Sequence, residues 1–296
     1  MCGIGGVKLA NSGWDSTAMK TMFGAMAERG RHAHGLGIMY ENSDNLIVNK
    51  SKGSSRKNLH KIEKFGSKNV EYMMMHTRFT TSGSVDNNYN NHPVVNHDIV
   101  LTHNGVVEDY EVFPQLPVQP DFEVDTECIN AALRYKGIQW VAENIHGSMS
   151  LIWVDRRDSL HKINFFTNGL NPLVFARDEE NNLYWASNES YFNDIQNIKN
   201  VFHAIPFKHY WIDENNILES KFVSDERREP RVITPYFRYT SENTSVLPSK
   251  TPYNGRKYSL GKKRFKPKKK AQNWKDKSVF GGMIYDEKTD SWKNWR

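Results

Sequence analysis

The first residue able to do chemistry is Cys2, directly behind the initiator methionine in Met1-Cys2-Gly3-Ile4-Gly5-Gly6-Val7. Removal of Met1, favoured when the next side chain is small, would leave a thiol and a free α-amine on one residue. An α-amine titrates at about 7.7–8.0 and a thiol at about 8.5, so both are easily activated near neutral pH. Such a residue is a nucleophile with its general base built in. An isolated cysteine at this place is more often a small core residue, so the downstream residues have to decide.

Those residues come in a fixed order. Arg29-Gly30 is followed by His76-Thr77-Arg78-Phe79-Thr80-Thr81-Ser82-Gly83, then Asn91-His92-Pro93. His103-Asn104-Gly105, Asp125-Thr126-Glu127 and Ala186-Ser187-Asn188-Glu189 complete the series. Taken singly, each has a plain structural reading. Asn-Gly is a favoured hairpin dipeptide. Asp125 before Thr-Glu suits a helix N-cap, and Arg29 suits the end of a helix as a cation facing its dipole. His32 and His34, without further ligands, are weak evidence for a metal, and none is expected. His76, His92 and His103 read as structural, and Cys128 as a small core residue.

The elements that must carry these residues follow from pattern. Asp15-Ser16 can cap a helix whose Met19, Met22, Phe23 and Met26 fall on one face, ending near Arg29-Gly30. A strand over 4–9 precedes it. A strand pair over 35–40 and 46–48, turning at 42–45, follows, and then a basic loop with a short helix. Strands are expected over 70–76 and 98–103, the second ending at Asn104-Gly105. A helix opens at Asp125, with a second helical piece over 138–145. From Gly147 onward, short strands bounded by turn residues dominate (148–154, 162–167, 173–177, 183–187, 209–212, 217–223), with a short helix over 189–195. This order predicts an α+β fold of stacked antiparallel sheets covered by helices.

Composition sets the outer limits. The 296 residues suffice for one large domain and an appendage. Two cysteines make no disulfide framework, which points to the reducing cytoplasm. No apolar run approaches the roughly 20 residues that span a bilayer, so no membrane role is expected. The net charge of +6 is uneven: residues 256–277 hold 11 Lys/Arg against Asp276, leaving about −4 for residues 1–255. The boundaries read as a domain over 2–225 and a basic, Pro/Lys-rich extension over 226–296. That extension is expected to be partly disordered, with a strand-like Met283-Ile284-Tyr285 near its end.

The ordered set resembles the class II glutamine amidotransferase domain of the N-terminal-nucleophile (Ntn) hydrolases. It is found in the glutaminase parts of glucosamine-6-phosphate synthase, amidophosphoribosyltransferase and asparagine synthetase. The resemblance covers roughly residues 2–220 and is specific as an ordered series. It implies a four-layer αββα sandwich and hydrolysis of the L-glutamine side-chain amide. In it Cys2 is the nucleophile, and the Asn104 amide and the Gly105 backbone N–H are oxyanion donors. Arg78 becomes a clamp for the α-carboxylate, Asp125 the partner of the α-ammonium, Thr81 a pocket residue and Arg29 an arginine beside the nucleophile. No cofactor is implied. This chain departs from the pattern at Phe79, where relatives often carry Trp, at Ser82, where they often carry His, and at His32, where they commonly carry an acid.

In multidomain relatives a further domain consumes the ammonia. The residues after 225 show no phosphate loop or nucleotide motif, so an ammonia-accepting synthetase or transferase partner protein is expected. Two alternatives stand beside this reading. The basic run, interleaved with Tyr258, Phe265 and Trp274, could contact nucleic acid or an acidic partner, making the protein a binding module on an Ntn scaffold. The scaffold could also serve an amidase acting on another amide.

Overall fold

In the computed structural model the described residues are 1–10, 13–66, 69–107, 116, 123–223, 283–286 and 291–294. The chain divides into two compact units, Met1–Arg231 with Lys277–Arg296, and Val232–Asp276. All described residues belong to the first. The expectations for the basic run at 256–277 lie outside the described residues.

Asp15 begins the first helix as its sequence suggests, its Oδ1 accepting from the Thr17 and Ala18 N–H groups at 2.8 and 3.0 Å. Helix α1 is Ser16–Ala25, α2 is His60–Gly66 and α3 is Asp125–Asn144. The strands are β1 (Gly3–Lys8), β2 (Ala33–Tyr40), β3 (Ile47–Lys52), β4 (Val70–Arg78), β5 (Val94–Asn96), β6 (Ile99–Val107), β7 (Gly147–Asp155) and β8 (Ser159–Thr167). They continue with β9 (Val174–Asp178), β10 (Leu183–Ala186), β11 (Ile198–His203), β12 (Lys208–Ile212), β13 (Leu218–Phe222), β14 (Met283–Asp286) and β15 (Ser291–Asn294).

Two antiparallel sheets result. One has nine strands in the order β11-β9-β10-β1-β4-β2-β3-β15-β14, the other six in the order β13-β12-β8-β7-β6-β5. Three apolar clusters separate the layers. Ile4, Tyr72, Met74, Val100, Ile152, Phe165 and Trp185 fill the space between the sheets. Met19, Met22, Phe23 and Met26 of the first helical stretch cover the outer face of the larger sheet, together with Val7, Leu36 and Met73. Cys128, Ile129, Ala132 and Leu133 of α3 cover the smaller sheet on Leu101, Met149 and Leu151. Burying each such large side chain is worth about 1.5–3 kcal/mol. The methionine face is therefore core, and it sits directly on β1, the strand that follows Cys2. A Cβ at Gly5 would lie 2.9 Å from Met26 Sδ and 3.1 Å from Met22 Sδ.

Several sequence expectations change. Strand β6 runs past Asn104-Gly105 to Val107, so that dipeptide is inside a strand and not in a turn: Gly105 pairs with Met149. The helical pieces expected at 125 and 138 are both present and meet at Gly137, whose φ of 82° breaks the helical backbone between them. Strands β5 and β11 were not foreseen; β11 is mostly exposed and β5 has three residues, so neither shows a strong alternation. The last two strands return to the larger sheet as a hairpin, Ser291 pairing with Asn49 of β3.

At the end of β1 away from Cys2, Lys8 is only 1% exposed. Its Nζ meets Glu71 Oε1 at 2.5 Å, and the other Glu71 oxygen meets His161 Nδ1 of the opposite sheet at 2.5 Å. The two sheets are thus tied by a carboxylate–imidazole contact at one end and by the His76 imidazole at the other.

Candidate active site

Strand β1 is central in its sheet, between β10 and β4. Pairing of Gly3 with Thr77 and of Ile4 with His76 sets Cys2 beside the end of β4, where Arg78 and Phe79 follow. Phe79 holds the thiol with its backbone. Its N–H donates to Cys2 Sγ at 3.4 Å, and the thiol lies 3.7 Å from the Phe79 carbonyl. Ser187, just after β10, fixes the other flank: its Oγ accepts from the Ile4 N–H at 3.1 Å and its N–H donates to the Ile4 carbonyl at 2.9 Å.

Burial pushes the Cys2 thiol above its ordinary range. The Phe79 backbone bond, the chain's amino group and Arg78 pull it partly back, and Asp125 pushes it up. The amino group at Met1 is lowered by burial and by Arg29, against a rise from Cys2. Both effects favour the uncharged forms of the Cys2 thiol and the Met1 amine.

Arg29 caps the 3-10 turn Met26–Glu28 that continues α1, as the sequence suggests, while its side chain turns toward the chain terminus. Its Nε donates to the Cys2 carbonyl at 2.9 Å and one Nη to Met1 Sδ at 3.4 Å, so it orients the chain terminus. Arg78 is buried. One Nη donates to Asn91 Oδ1 at 2.8 Å, and the other reaches the Ser82 carbonyl and, at 3.2 Å, the Gly83 carbonyl. Its guanidinium therefore sits at the root of the 79–83 segment, coupled electrostatically to Cys2 and Asp125. Thr81 is exposed on that segment, and among the described residues no side-chain hydrogen bond ties it to the other site residues.

Asp125 is not an N-cap. The cap position is Val124, without a side-chain bond, and Asp125 is the first helical residue. Its Oδ2 instead accepts from the Val107 N–H at 2.9 Å. Because backbone groups alternate along a strand, the Gly105 N–H points to the same side of β6 as that of Val107, away from β7. The neighbouring Val106 N–H points the other way, donating to Ser148 Oγ at 3.1 Å. Gly105 admits no side chain, since a Cβ there would stand 1.7 Å from the Ser148 carbonyl.

Asn104 is 1% exposed, and neither its Oδ1 nor its Nδ2 has a hydrogen-bond partner. A buried amide in that state costs about 1–3 kcal/mol and calls for a reason. Only its backbone is held, by Asn171 Nδ2 donating to its carbonyl at 3.1 Å. The Asn171 carbonyl in turn accepts from Ser150 Oγ and Thr167 Oγ1 at 2.8 and 2.9 Å. Sequence reading missed Asn171. It sits 67 positions from Asn104 in an unremarked Asn-Gly-Leu-Asn loop, and no local pattern announces such a contact.

The histidines of the motifs are structural, as expected. His76 Nε2 meets the His103 carbonyl at 3.1 Å, joining β4 to β6 across the sheets, and the His76 ring stacks on His92 at 4.1 Å. Burial holds His76 down to about 3 and His92 well below the usual imidazole range. His32 behaves differently. Its Nδ1 accepts from the Thr80 N–H at 3.0 Å and its ring lies 4.8 Å from Phe79, so two of the departures from the family pattern touch each other. Among the described residues no cluster of three or more metal-ligating side chains occurs.

Residues 76–194 match the family described as glutamine amidotransferase domain. The glutamine–fructose-6-phosphate aminotransferase (isomerizing) of Staphylococcus aureus is 31% identical over 172 residues, covering 53% of this chain and 28% of that protein. The chain thus spans little more than a quarter of that relative's length. Among solved structures, the glutamine phosphoribosylpyrophosphate amidotransferase of B. subtilis superposes with a TM-score of 0.59 at 16% identity, over 76% of this chain and 50% of that one. A structure described as the allosteric regulatory enzyme of purine biosynthesis gives 0.61 at 16% identity, with the same coverage. These two likenesses bear on the fold, which is the αββα sandwich described above. With the matching family, the relative's identity and the likeness of fold, the chain carries a glutamine amidotransferase domain of the class II, N-terminal-nucleophile type.

Proposed function

We propose that this chain hydrolyses the side-chain amide of L-glutamine to glutamate and ammonia through a γ-glutamyl thioester on Cys2. The observation that carries the reading is Asn104, a buried amide without a partner on β6, the strand of the other sheet that contacts β1.

After loss of Met1, the Cys2 amine takes the thiol proton as sulfur attacks the amide carbon. A C–S bond forms and the carbonyl oxygen becomes an oxyanion. Asn104 Nδ2 and the Gly105 N–H donate to it, and one such donor is worth about 2.7–4 kcal/mol of barrier. The C–N bond then breaks, the α-ammonium returns its proton to the leaving nitrogen, and ammonia departs. Water attacks the thioester, with the amine again as base, and releases glutamate and the thiol.

Selection of free glutamine falls to its two charged ends. Asp125 has one oxygen bound to β6, and its other oxygen, 3.4 Å from the Thr126 hydroxyl, takes the ammonium. Arg78 suits a carboxylate, which would take over a place now held by the carbonyls of Ser82 and Gly83. Thr81 and Phe79 would then line the pocket, and Arg29 would hold the terminus in register. The ammonia is consumed at an acceptor site on a partner protein, since free ammonia is mostly protonated near neutral pH and a sheltered transfer preserves the nucleophile.

The test is intact-mass analysis after treatment with the glutamine analogue 6-diazo-5-oxo-norleucine. A single adduct on a chain lacking Met1, absent in Cys2→Ala, is expected. A chain that retains Met1 has no free amine on Cys2, and finding one would sink the mechanism.

A further inference from the structure

The buried contacts around Thr126 admit few arrangements of protons. His103 Nε2 lies 3.3 Å from the Ser148 carbonyl, an acceptor only, so Nε2 must carry the hydrogen. In an uncharged ring Nδ1 is then an acceptor. It lies 3.1 Å from Thr126 Oγ1, which must donate to it. The alternative acceptor for that hydroxyl, Asp125 Oδ1, is farther at 3.4 Å. With its proton spent on His103, Thr126 Oγ1 accepts from His92 Nε2 at 2.9 Å. His92 and His76 then each carry their proton on Nε2, which leaves their Nδ1 atoms bare, and both are indeed without a partner.

We propose that Thr126 is a positioning residue, whose hydroxyl sets the proton on His103 and so seats the following Asn104-Gly105. This rests on the glutaminase reading for its catalytic meaning. Thr126 adjoins Asp125 at the start of α3, and His103 adjoins Asn104 on β6. The hydroxyl therefore joins the ammonium partner to the oxyanion donors through two adjacent peptide units. Without it, His103 Nδ1 and His92 Nε2 are both stranded in the interior. A proton moving to His103 Nδ1 would turn a bare Nε2 toward the Ser148 carbonyl, acceptor against acceptor, at the point where β6 must hold Asn104.

Thr126→Val keeps the shape and removes the hydroxyl, whereas Thr126→Ser keeps the hydroxyl and removes the methyl. Misplacement of a reacting group by about 1 Å costs on the order of 10²-fold in rate. Thr126→Val is therefore expected to lower kcat for glutamine roughly 10–100-fold, with KM changed by less than about threefold. Thr126→Ser should recover most of the loss. A packing role predicts the reverse ranking. Nitrogen-15 NMR of the imidazoles in the full chain supplies a readout independent of activity. His103 is expected as the Nε2–H tautomer in the unaltered protein and as a changed or mixed form in Thr126→Val.

Equal kcat in Thr126→Val and the unaltered protein overturns the proposal, as does a Thr126→Ser variant as slow as Thr126→Val. A doubly protonated His103, or ring signals untouched by Thr126→Val, overturns it too. Glutamine hydrolysis by the unaltered chain is measured first and tests the functional reading separately. If it is absent, the ring signals alone decide whether Thr126 sets the His103 proton.

Discussion

Phe79 holds the Cys2 thiol between its own N–H, 3.4 Å from Sγ, and its own carbonyl, 3.7 Å away. The contact is made by backbone, so the side chain at 79 is free to vary without changing it. Phe in place of a commoner Trp leaves the grip on sulfur intact. What the substitution changes is the outer surface of that residue, which here is met by the His32 ring.

Asn104 separates stability from activity. Its amide is buried without partners, so the folded protein gains no hydrogen bond from it. Replacing such a group by an apolar one can be neutral or stabilising. Asn104→Ala is expected to leave the thermal midpoint unchanged or raised, apart from a small packing loss, while kcat falls about 10²–10³-fold. Calorimetry and glutamate release on the same preparation check both halves. A fall in stability of several kcal/mol would mean that the amide is structurally satisfied.

Acid should destabilise the fold through its buried imidazoles. Burial lowers His76 to about 3, His209 to about 4 and His92 well below 6.5. Between 6.5 and those values the unfolded chain binds protons that the folded chain refuses. Stability is therefore lost as pH falls below 6.5, by up to about 1.4 kcal/mol per pH unit for each ring. Glu127, raised by burial to about 7, acts in the opposite sense above 4.5, one group against three. Urea midpoints are expected to drop between pH 7 and pH 5, and His76→Gln should make that drop shallower.

The residues proposed for the chemistry are legible because each lies in a short contiguous motif. Cys2, Arg78, Asn104 with Gly105, and Asp125 all announce themselves by immediate neighbours. Asn171 does not: it reaches the site through a loop that meets it only after the sheets have formed, 67 residues from its partner. Ser187 lies 183 residues from Ile4 but within the last motif of the ordered series. Asn104-Gly105 misled for a related reason. The dipeptide does favour turns, but β7 pairs along its whole length and holds it extended. The helices were read well where a cap and an apolar face coincide, as at Asp15 and the methionines. The break between the two helical pieces was legible as well, at Gly137.

Lys8 offers a test of the sheet-to-sheet tie. A charge 1% exposed is stable only while Glu71 stays beside it. Lys8→Met strands the carboxylate against His161 and is expected to cost about 3–5 kcal/mol. The double variant with Glu71→Gln should cost clearly less than the two single changes added together. Denaturant unfolding of the four proteins closes that cycle, and strict additivity would show that the pair does not interact.

The hairpin of β14 and β15 beside β3 makes the larger sheet discontinuous in the chain: its first strand is residues 3–8 and its outermost strand residues 283–286. A fragment ending near 225 would keep every residue assigned a part in the chemistry. It would also expose the backbone donors and acceptors of β3 as an open border, the kind of border that recruits a strand from another molecule. A piece that keeps every assigned residue is thus not a piece that keeps the whole sheet.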